Sequence, residues 1–313
     1  MAELLRAGVA GAGVFGGYHA NKYKEVEGAE LVGIFDLDPA RAEIGAADRG
    51  VAGFSDYNAF LEAVDVLTIA TPASTHGDLA EKALVAGKHV LVEKPLSLDL
   101  AVADRLIALA DEKGLTLQVG HQERYVADAM GLLGRPAPRT LRSRRLNKYS
   151  GRAMDVSVVF DLMIHDLDLL AQFAPVEEAV LTQVAAKFVH GDKADYVAVS
   201  VALPGGLQAE LSASRLEENP VRDLLLTYDD GDLGLDFLGR MSRNTTPTPL
   251  PVAMDADEKP AALADPLRFG TQSFVDAVRD GGAPIVTGLD GRAALALALK
   301  IEEAANASRG VES

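Results

Sequence analysis

The sequence predicts an α/β protein with an N-terminal Rossmann-type doubly wound parallel sheet and a C-terminal α/β domain built on an open, mostly antiparallel sheet. Short β-branched runs alternate with helical patterns over the first 120 residues, which is typical of parallel strands joined by crossover helices. A glycine-rich G-x-G-x-x-G turn follows the first of these runs. Longer polar and apolar alternations begin after residue 120, and they indicate strands of a sheet that is open on one face.

The first half contains predicted strands and helices in strict alternation. The strands cover residues 5–10, 31–35, 64–70, 89–92 and 116–119. The helices cover residues 14–26, 39–47, 56–63, 74–86 and 98–113. Gly87 and Gly114 follow two of these helices as C-caps. Ligands bind at the carboxyl ends of such strands, so residues 71–73 and 93–95 should line a cofactor crevice.

The second half is predicted to hold a mixed or antiparallel sheet followed by two helices. Its strands cover residues 140–146, 180–189, 196–203 and 206–214, and its helices cover 266–279 and 291–305. Residues 245–251 and 255–266 are a predicted surface loop. We expect a dinucleotide-binding domain over 1–120 and a substrate and oligomerisation domain over 121–313, with C-terminal helices that pack back on the first domain.

Gly11, Gly13 and Gly16 form the pattern of a dinucleotide-binding turn. Gly11 allows the tight turn, Gly13 lets the backbone approach a pyrophosphate, and Gly16 lets the next helix pack closely on the strand. The helix then begins with Val14 and Phe15, and its unpaired N–H groups face the phosphates.

Asp36 ends the second predicted strand, 20 residues after Gly16. A carboxylate at this position accepts hydrogen bonds from the ribose hydroxyls and repels a 2′-phosphate, so NAD is favoured over NADP. Arg41, at the start of the next helix, could offset that repulsion, and NADP use stays open. A surface arginine is the simpler interpretation of Arg41.

Composition excludes several classes of function. The chain has 313 residues, a formal net charge of −16 and no cysteine. The charge argues against nucleic acid and membrane surfaces as partners, and the lack of cysteine excludes disulfides and thiolate chemistry. The N-terminus has no signal-peptide pattern, and no apolar run is long enough for a membrane helix. We expect a cytoplasmic protein.

Motifs along nearly the whole chain resemble those of the Gfo/Idh/MocA oxidoreductases, which include glucose-fructose oxidoreductase and inositol dehydrogenase. They are GAGVFG at 11–16, Ala70-Thr71-Pro72 with His76, Glu93-Lys94-Pro95, Asp161-x-x-x-His165-Asp166, and the ending from Asp265-Pro266-Leu267 to Ala294. The resemblance implies hydride transfer between a nicotinamide and a sugar or polyol hydroxyl. It also implies a homodimer or homotetramer, because relatives bury the open sheet against a second subunit.

Lys94, Asp161 and His165 are the candidate catalytic residues. Lys94 precedes a proline, so extended geometry displays its ammonium at the crevice, where it can stabilise the reacting oxygen. Asp161 and His165 lie four residues apart in a helical pattern over 158–170, so they share a face. An imidazole is the natural proton acceptor for an alcohol, and the carboxylate can orient it or bind the substrate hydroxyl. The resemblance assigns the same roles.

Further positions follow from the resemblance. It implies cofactor contacts for Thr71, Pro72, His76, Glu93 and Gln122, and contacts to the substrate or the domain hinge for Arg124 and Tyr125. After Tyr125 the chain has Val126-Ala127 where the family commonly has Asn-Pro, which leaves the local loop path open. Asp166 and Asp168 are interpreted as structural, and no metal is expected.

A basic run gives separate information on the substrate. Seven arginines and lysines lie between residues 135 and 152 without a single acid. Such a reversal of charge attracts an anionic partner, and arginine binds phosphate bidentately. Arg144 and Arg145 are therefore candidate contacts to a phosphorylated or nucleotide-linked sugar, such as a UDP-N-acetylhexosamine. A solvated strand face is the alternative.

The sequence thus predicts an NAD-dependent sugar or polyol dehydrogenase. His165 would accept the hydroxyl proton, Lys94 would polarise the oxygen, and Asp161 would orient the imidazole. One alternative is an NAD-dependent glycosidase that uses transient oxidation and accumulates no NADH. The other is a non-catalytic NAD-sensing regulator, which has no need of proton-transfer groups.

Overall fold

The computed structural model describes residues 3–309, and the chain divides into two units. The first unit contains the chain up to Gln122 together with residues 265–292. The second contains residues 123–264 and the chain from Ala293 onward. The first boundary thus follows residue 122, where 120 was expected, and residues 265–292 belong to the N-terminal unit.

The first unit is built on a six-stranded parallel sheet with the order β3-β2-β1-β4-β5-β6. The strands are β1 (Leu5–Ala10), β2 (Ala29–Phe35), β3 (Ala52–Phe54), β4 (Val66–Ile69), β5 (His89–Val92) and β6 (Leu117–Val119). The strand order reverses beside β1, which is where doubly wound sheets bind a ligand. The predicted doubly wound sheet is confirmed, although β3 was not predicted.

Five helices alternate with these strands. They are α1 (Val14–Tyr23), α2 (Pro39–Ala47), α3 (Tyr57–Ala63), α4 (His76–Val85) and α5 (Leu100–Lys113). Asp38, Asp56 and Asp99 cap α2, α3 and α5 by accepting backbone N–H groups of the first turn, which satisfies donors that the helix leaves without partners. Gly114 ends α5 in the left-handed conformation, as predicted.

The second unit is built on a seven-stranded mixed sheet. The elements that follow in the chain, before residue 265, are α6 (Gln122–Ala129), β7 (Thr140–Leu146), α7 (Ile164–Leu170), β8 (Val180–Lys187), β9 (Tyr196–Ala202), β10 (Gln208–Ser214), β11 (Val221–Tyr228), β12 (Gly231–Asp236), β13 (Met241–Asn244) and α8 (Ala261–Ala264). The strand order is β13-β12-β11-β7-β10-β9-β8. β7 and β10 pair in parallel, and the other neighbours pair antiparallel. The predicted mostly antiparallel sheet is confirmed.

A π-helical turn, Val159–Met163, leads directly into α7. The N–H of Ile164 bonds to the carbonyl oxygen of Val159, five residues earlier. The sequence predicted one regular helical pattern here, so the π-turn is a local departure from that prediction. Such turns occur frequently at functional sites, and this one contains Asp161.

The C-terminal helices are α9 (Pro266–Asp280) and α10 (Gly288–Ala307). In the first unit, Phe274 and Val275 of α9 join a core that includes Val9, Tyr23 and Ile34. This burial explains why the segment belongs to the N-terminal unit. Within residues 3–309, no helix combines the length and the apolarity that crossing a membrane requires.

Candidate active site

The glycine turn between β1 and α1 is tightly packed on one side and open on the other. Gly11 has a φ of +108°, and a Cβ on it would lie 2.6 Å from the carbonyl oxygen of Ala70. A Cβ on Gly16 would lie 1.8 Å from the carbonyl oxygen of Gly11. At Gly13 the nearest described atom to such a Cβ is a nitrogen of Arg41, 3.6 Å away. The turn therefore leaves a cradle at Gly13 and the start of α1 that fits a pyrophosphate.

Asp36 connects this turn to the end of β2. Its Oδ2 accepts the N–H of Ala12 at 2.9 Å, and its Oδ1 accepts the N–H of Asp38 at 3.0 Å. Each carboxylate oxygen has further acceptor capacity for ribose hydroxyls. The Nε of Arg41 lies 3.7 Å from Oδ2, with 57% of the arginine side chain exposed. Together with the exposed Val14 and Phe15, these residues fit the adenosine and pyrophosphate part of NAD.

Glu93 and Lys94 follow β5, at the carboxyl edge of the same sheet. The Lys94–Pro95 peptide is cis, and the lysine side chain is half-buried. Glu93 is buried; its Oε1 lies 2.7 Å from Nε2 of His19 and 3.5 Å from Nε2 of Gln122. The N–H of Lys94 donates to the other carboxylate oxygen at 3.3 Å. Glu93 therefore supports the backbone that carries Lys94.

His19 was not predicted as a site residue. It lies on α1, three residues after Gly16, and is buried. A histidine one helical turn after a dinucleotide-binding turn was the signal that could have found it.

His76, a predicted cofactor contact, bonds to backbone carbonyls of two loops of the first unit. Its Nδ1 lies 2.7 Å from the carbonyl oxygen of Pro95, and its Nε2 lies 2.9 Å from that of Thr71. The ring is buried, and burial lowers its pKa. His76 thus joins the loop after β4, where Pro72 is exposed, to the loop after β5, and its two nitrogens face backbone carbonyls.

His165 lies in α7 of the second unit, beside a carboxylate that sequence reasoning missed. Its Nδ1 is 2.9 Å from Oε2 of Glu123 on α6. Asp161, the predicted orienting carboxylate, lies in the π-helical turn and is half-buried, as is His165. The signal for Glu123 was present, since it stands within the His-Gln-Glu-Arg motif of residues 121–124.

Glu123 is held in turn by Arg145 of β7. Nη1 of Arg145 lies 2.8 Å from Oε1 of Glu123, while its Nε and Nη2 bond to the carboxylate of Asp166 at 2.7 and 2.9 Å. Arg222 of β11 lies 3.8 Å from the same Oε1. Burial alone would raise the pKa of Glu123, but the charges of Arg145, His165 and Arg222 hold it well below its usual range. Glu123 is therefore an ionised carboxylate inside the second unit.

Comparison with known proteins identifies the family. Residues 5–121 match the model of the Gfo/Idh/MocA oxidoreductase family, NAD-binding Rossmann fold. The chain is 36% identical over 310 residues to UDP-N-acetylglucosamine 3-dehydrogenase from Acidithiobacillus ferrooxidans, with 97% of this chain and 98% of that enzyme covered. The chain belongs to the Gfo/Idh/MocA family.

Further relatives and solved structures are similar to this chain. Inositol 2-dehydrogenase from Rhizobium meliloti is 30% identical, with 94% of each chain covered. A crystal structure of the Acidithiobacillus enzyme matches with a TM-score of 0.86 at 33% identity, over 98% of this chain and 99% of that one. A Bordetella pertussis dehydrogenase crystallised with NADH and UDP-GlcNAcA matches the fold with a TM-score of 0.83 at 20% identity, over 98% and 96% of the two chains.

Membership in the Gfo/Idh/MocA family confirms three predictions. The protein is an oxidoreductase, it acts on CH–OH groups by hydride transfer, and its cofactor is NAD. The geometry of the glycine turn and Asp36 fits the dinucleotide site that this assignment requires.

Two side chains predicted at the substrate lie inside the second unit of this Gfo/Idh/MocA oxidoreductase. Arg124 forms a bidentate ion pair with Asp168, with Nε–Oδ2 and Nη2–Oδ1 distances of 2.9 and 2.5 Å. Arg124 is 3% exposed and Tyr125 is 2% exposed. Arg124 and Asp168 therefore neutralise each other, and we do not assign Arg124 or Tyr125 to the substrate.

Three arginines of the basic run pair with acids from elsewhere in the sequence. Arg144 pairs with Asp223 on the neighbouring strand, with Nε 3.0 Å from Oδ1, and Arg139 pairs with Asp229 at 2.8 Å. Arg145 points to the opposite face of the sheet, is 3% exposed and binds Glu123 and Asp166. Three of the seven basic residues of the run therefore meet acids in the fold, and the charge reversal seen in the sequence is partly cancelled. This corrects the expectation that Arg145 presents its charge to an anionic substrate.

Proposed function

We propose that this oxidoreductase transfers hydride between NAD and carbon 3 of a nucleotide-linked N-acetylhexosamine, with UDP-N-acetylglucosamine as the first candidate. The observation that carries the proposal is the 36% identity over 97% of the chain to an enzyme of that name. The two arginines proposed as phosphate contacts, Arg144 and Arg145, pair with acids and do not add to this support, so the substrate class rests on the relative.

NAD supplies the acceptor for the hydride that leaves the substrate carbon. The glycine turn and Asp36 hold the dinucleotide by its pyrophosphate and ribose. Lys94 donates a hydrogen bond to the reacting oxygen and stabilises its developing negative charge. His165 accepts the hydroxyl proton, and Asp161 orients the imidazole or binds a substrate hydroxyl. In the reverse direction His165 returns the proton to the oxygen of the ketone.

A polyol is the second candidate substrate. Inositol 2-dehydrogenase from Rhizobium meliloti is 30% identical, with 94% of each chain covered. A polyol has no nucleotide, and it would be recognised through hydroxyl groups alone.

A substrate screen separates these candidates. The protein would be incubated with NAD and UDP-N-acetylglucosamine, myo-inositol or scyllo-inositol, with His165→Ala as the matched control. We expect NADH to accumulate with the nucleotide sugar, and mass spectrometry after borodeuteride reduction to locate the new carbonyl at carbon 3. Turnover of inositols alone would contradict the nucleotide-sugar proposal. Cleavage of a glycoside without net NADH would favour the glycosidase.

We also propose that the protein acts in the cytoplasm, where NAD is available, as a homodimer or homotetramer. The contact would use the face of the second sheet that carries Arg144 and the half-buried Ala198, Ser200 and Ser212. Small side chains on this face suit close packing against a second copy. Light scattering at micromolar concentration should give at least twice the 33.0 kDa chain mass, and a single species of the chain mass would contradict this.

A further inference from the structure

Glu123 divides its two carboxylate oxygens between an arginine and a histidine. Oε1 lies 2.8 Å from Nη1 of Arg145, and Oε2 lies 2.9 Å from Nδ1 of His165. The side chains of Arg145 and Glu123 are 3% and 11% exposed, whereas that of His165 is 14% exposed. Arg145 is itself fixed by two hydrogen bonds to Asp166. The arrangement is a buried chain of contacts that ends at the imidazole.

The charge of Glu123 decides which nitrogen of His165 carries hydrogen. A buried carboxylate stays ionised when cations compensate it, and Arg145 and Arg222 supply that compensation. An ionised carboxylate can only accept hydrogen bonds. A hydrogen on the nitrogen that faces it makes the 2.9 Å contact attractive, whereas a lone pair on that nitrogen would face the negative charge.

We propose that Glu123 is a positioning residue that holds His165 as the Nδ1–H tautomer and leaves Nε2 as the atom that accepts the substrate proton. The inference rests on the proposed function for the role of His165. As the O–H bond of the substrate breaks, an N–H bond forms at Nε2, and the carbon that bears this oxygen becomes a carbonyl carbon. Bound NAD would take up the hydride, with its electron pair, from that carbon. Glu123 stabilises the resulting imidazolium, and the proton passes from Nε2 to water after the product leaves.

Other charged groups surround His165 and must be separated from Glu123 in any test. Arg145 of β7 and Arg222 of β11 face Glu123. The remaining charged side chains on α6, the π-helical turn and α7 are Arg124, Asp128, Asp161, Asp166 and Asp168. Asp166 and Asp168 are paired with Arg145 and Arg124. Asp161 is therefore the carboxylate to compare with Glu123.

The tautomer can be measured directly in the full-length wild-type protein. Selective ¹⁵N labelling of the six histidines gives ring correlations that distinguish Nδ1–H from Nε2–H, and His165→Gln identifies the signal by its loss. At a pH where the ring is neutral we expect hydrogen on Nδ1 of His165. Hydrogen on Nε2 would overturn the proposal. This measurement needs no substrate, so it can fail while the proposed function holds.

Kinetics then test what the tautomer does. With UDP-N-acetylglucosamine and NAD, we expect Glu123→Gln to lower kcat about 10- to 100-fold, the range typical of losing a group that orients a functional histidine. In a plot of kcat against pH, the acid limb is the low-pH side, where kcat falls as the imidazole is protonated. This acid limb should move to lower pH, because the imidazolium loses its neighbouring negative charge. Glu123→Asp should recover part of the rate.

Asp195→Asn is the matched control, because Asp195 is a buried acid of the same unit that pairs with Arg215 at 3.2 Å. It should leave the acid limb in place. If Glu123→Gln loses activity without moving the limb, or if Asp161→Asn alone moves it, Glu123 does not position His165. If Glu123→Gln does not fold, the tautomer of His165 measured in the wild-type protein decides whether the proposal holds. Wild-type activity in His165→Ala would instead overturn the proposed function.

Discussion

Each unit contains a histidine paired with a glutamate, and the two pairs differ in which partner is fixed. In the first unit, Nε2 of His19 lies 2.7 Å from Glu93, with side-chain exposures of 2% and 8%. In the second, Nδ1 of His165 lies 2.9 Å from Glu123, with exposures of 14% and 11%. The two distances are similar, but the histidine is buried in the first pair and partly exposed to solvent in the second.

The surroundings of the two glutamates explain this difference. Glu93 directly precedes Lys94 and accepts its backbone N–H, so His19 contacts a carboxylate that holds the backbone of the proposed catalytic lysine. Glu123 is fixed by Arg145 and contacts the proposed catalytic histidine. In the first pair the histidine holds the glutamate, and in the second pair the glutamate holds the histidine. The difference arises because Arg145 fixes Glu123.

The largest expected effect is at Lys94, the residue that the first pair supports. Lys94→Ala should lower kcat about 1000-fold, the upper range for losing one donor to a developing oxyanion. NAD affinity should change little, because in the proposed site the glycine turn and Asp36 bind the dinucleotide. Steady-state kinetics and fluorescence titration with NAD check both parts. Wild-type turnover would remove Lys94 from the catalytic residues.

Arg145→Ala removes the arginine that fixes Glu123 in the second pair. It leaves the carboxylates of Glu123 and Asp166 buried without their arginine, which should cost about 3 kcal/mol of the free energy of unfolding. Arg222 near Glu123 keeps the expected loss at the lower end of the usual range. Denaturant unfolding measures it, and a change below about 1 kcal/mol, the value of a surface pair, would contradict the cluster's role.

His19→Ala tests the first pair in the same way. Glu93 keeps donors from Gln122 and Lys94 but loses the histidine at 2.7 Å, so the free energy of unfolding should fall by about 1–3 kcal/mol. The rate should fall as well, since the backbone at Lys94 loses support. Unfolding curves and kcat provide the check, and unchanged values for both would show that His19 only fills space.

Asp36→Ser should change the choice of cofactor. Removing the carboxylate relieves repulsion of a 2′-phosphate and frees Arg41, whose Nε lies 3.7 Å from Asp36. We expect relative use of NADP to rise about tenfold, which corresponds to about 1.4 kcal/mol. The double variant Asp36→Ser/Arg41→Ala should lose that gain. If the single variant discriminates as strongly as the wild type, Asp36 does not face the ribose.

Arg144→Ala should have the smallest effect. Arg144 adjoins Arg145 in sequence, but its pair with Asp223 lies on the opposite face of the sheet, with side-chain exposures of 45% and 30% in the single chain. The free energy of unfolding should change by at most about 1 kcal/mol. The KM for UDP-N-acetylglucosamine should stay unchanged, because Asp223 neutralises the guanidinium. A several-fold rise in KM would restore Arg144 as a phosphate contact.

The first unit could be predicted almost element by element. The predicted bounds of β1, β5 and α2 coincide with those observed, because buried parallel strands give continuous apolar runs and caps mark the helices. β3 was missed since it has three residues and two of them are exposed. Such a strand carries little hydrophobic signal.

The second unit was harder to predict because its signals depend on tertiary pairing. The edge strand β13 reads Met-Ser-Arg-Asn, and β12 contains two glycines, so neither shows a clear alternation of apolar residues. The strand around Arg144 and Arg145 was predicted with correct bounds. Its acid partners, at positions 123, 166 and 223, are distant in sequence, and only the fold shows which arginine meets which carboxylate.

The most direct test compares the acid limb of the kcat profile in the wild type, His19→Ala and Glu123→Gln, with NADH formation from UDP-N-acetylglucosamine as the readout. If each pair acts as described, both variants are slower, but only Glu123→Gln moves the half-maximal pH of the limb to a lower value. Removing Glu123 takes a negative charge away from the imidazole that accepts the proton, whereas removing His19 acts through Glu93 and the lysine backbone. A limb that stays in place in Glu123→Gln, or one that moves equally in both variants, would contradict the opposite roles of the two pairs.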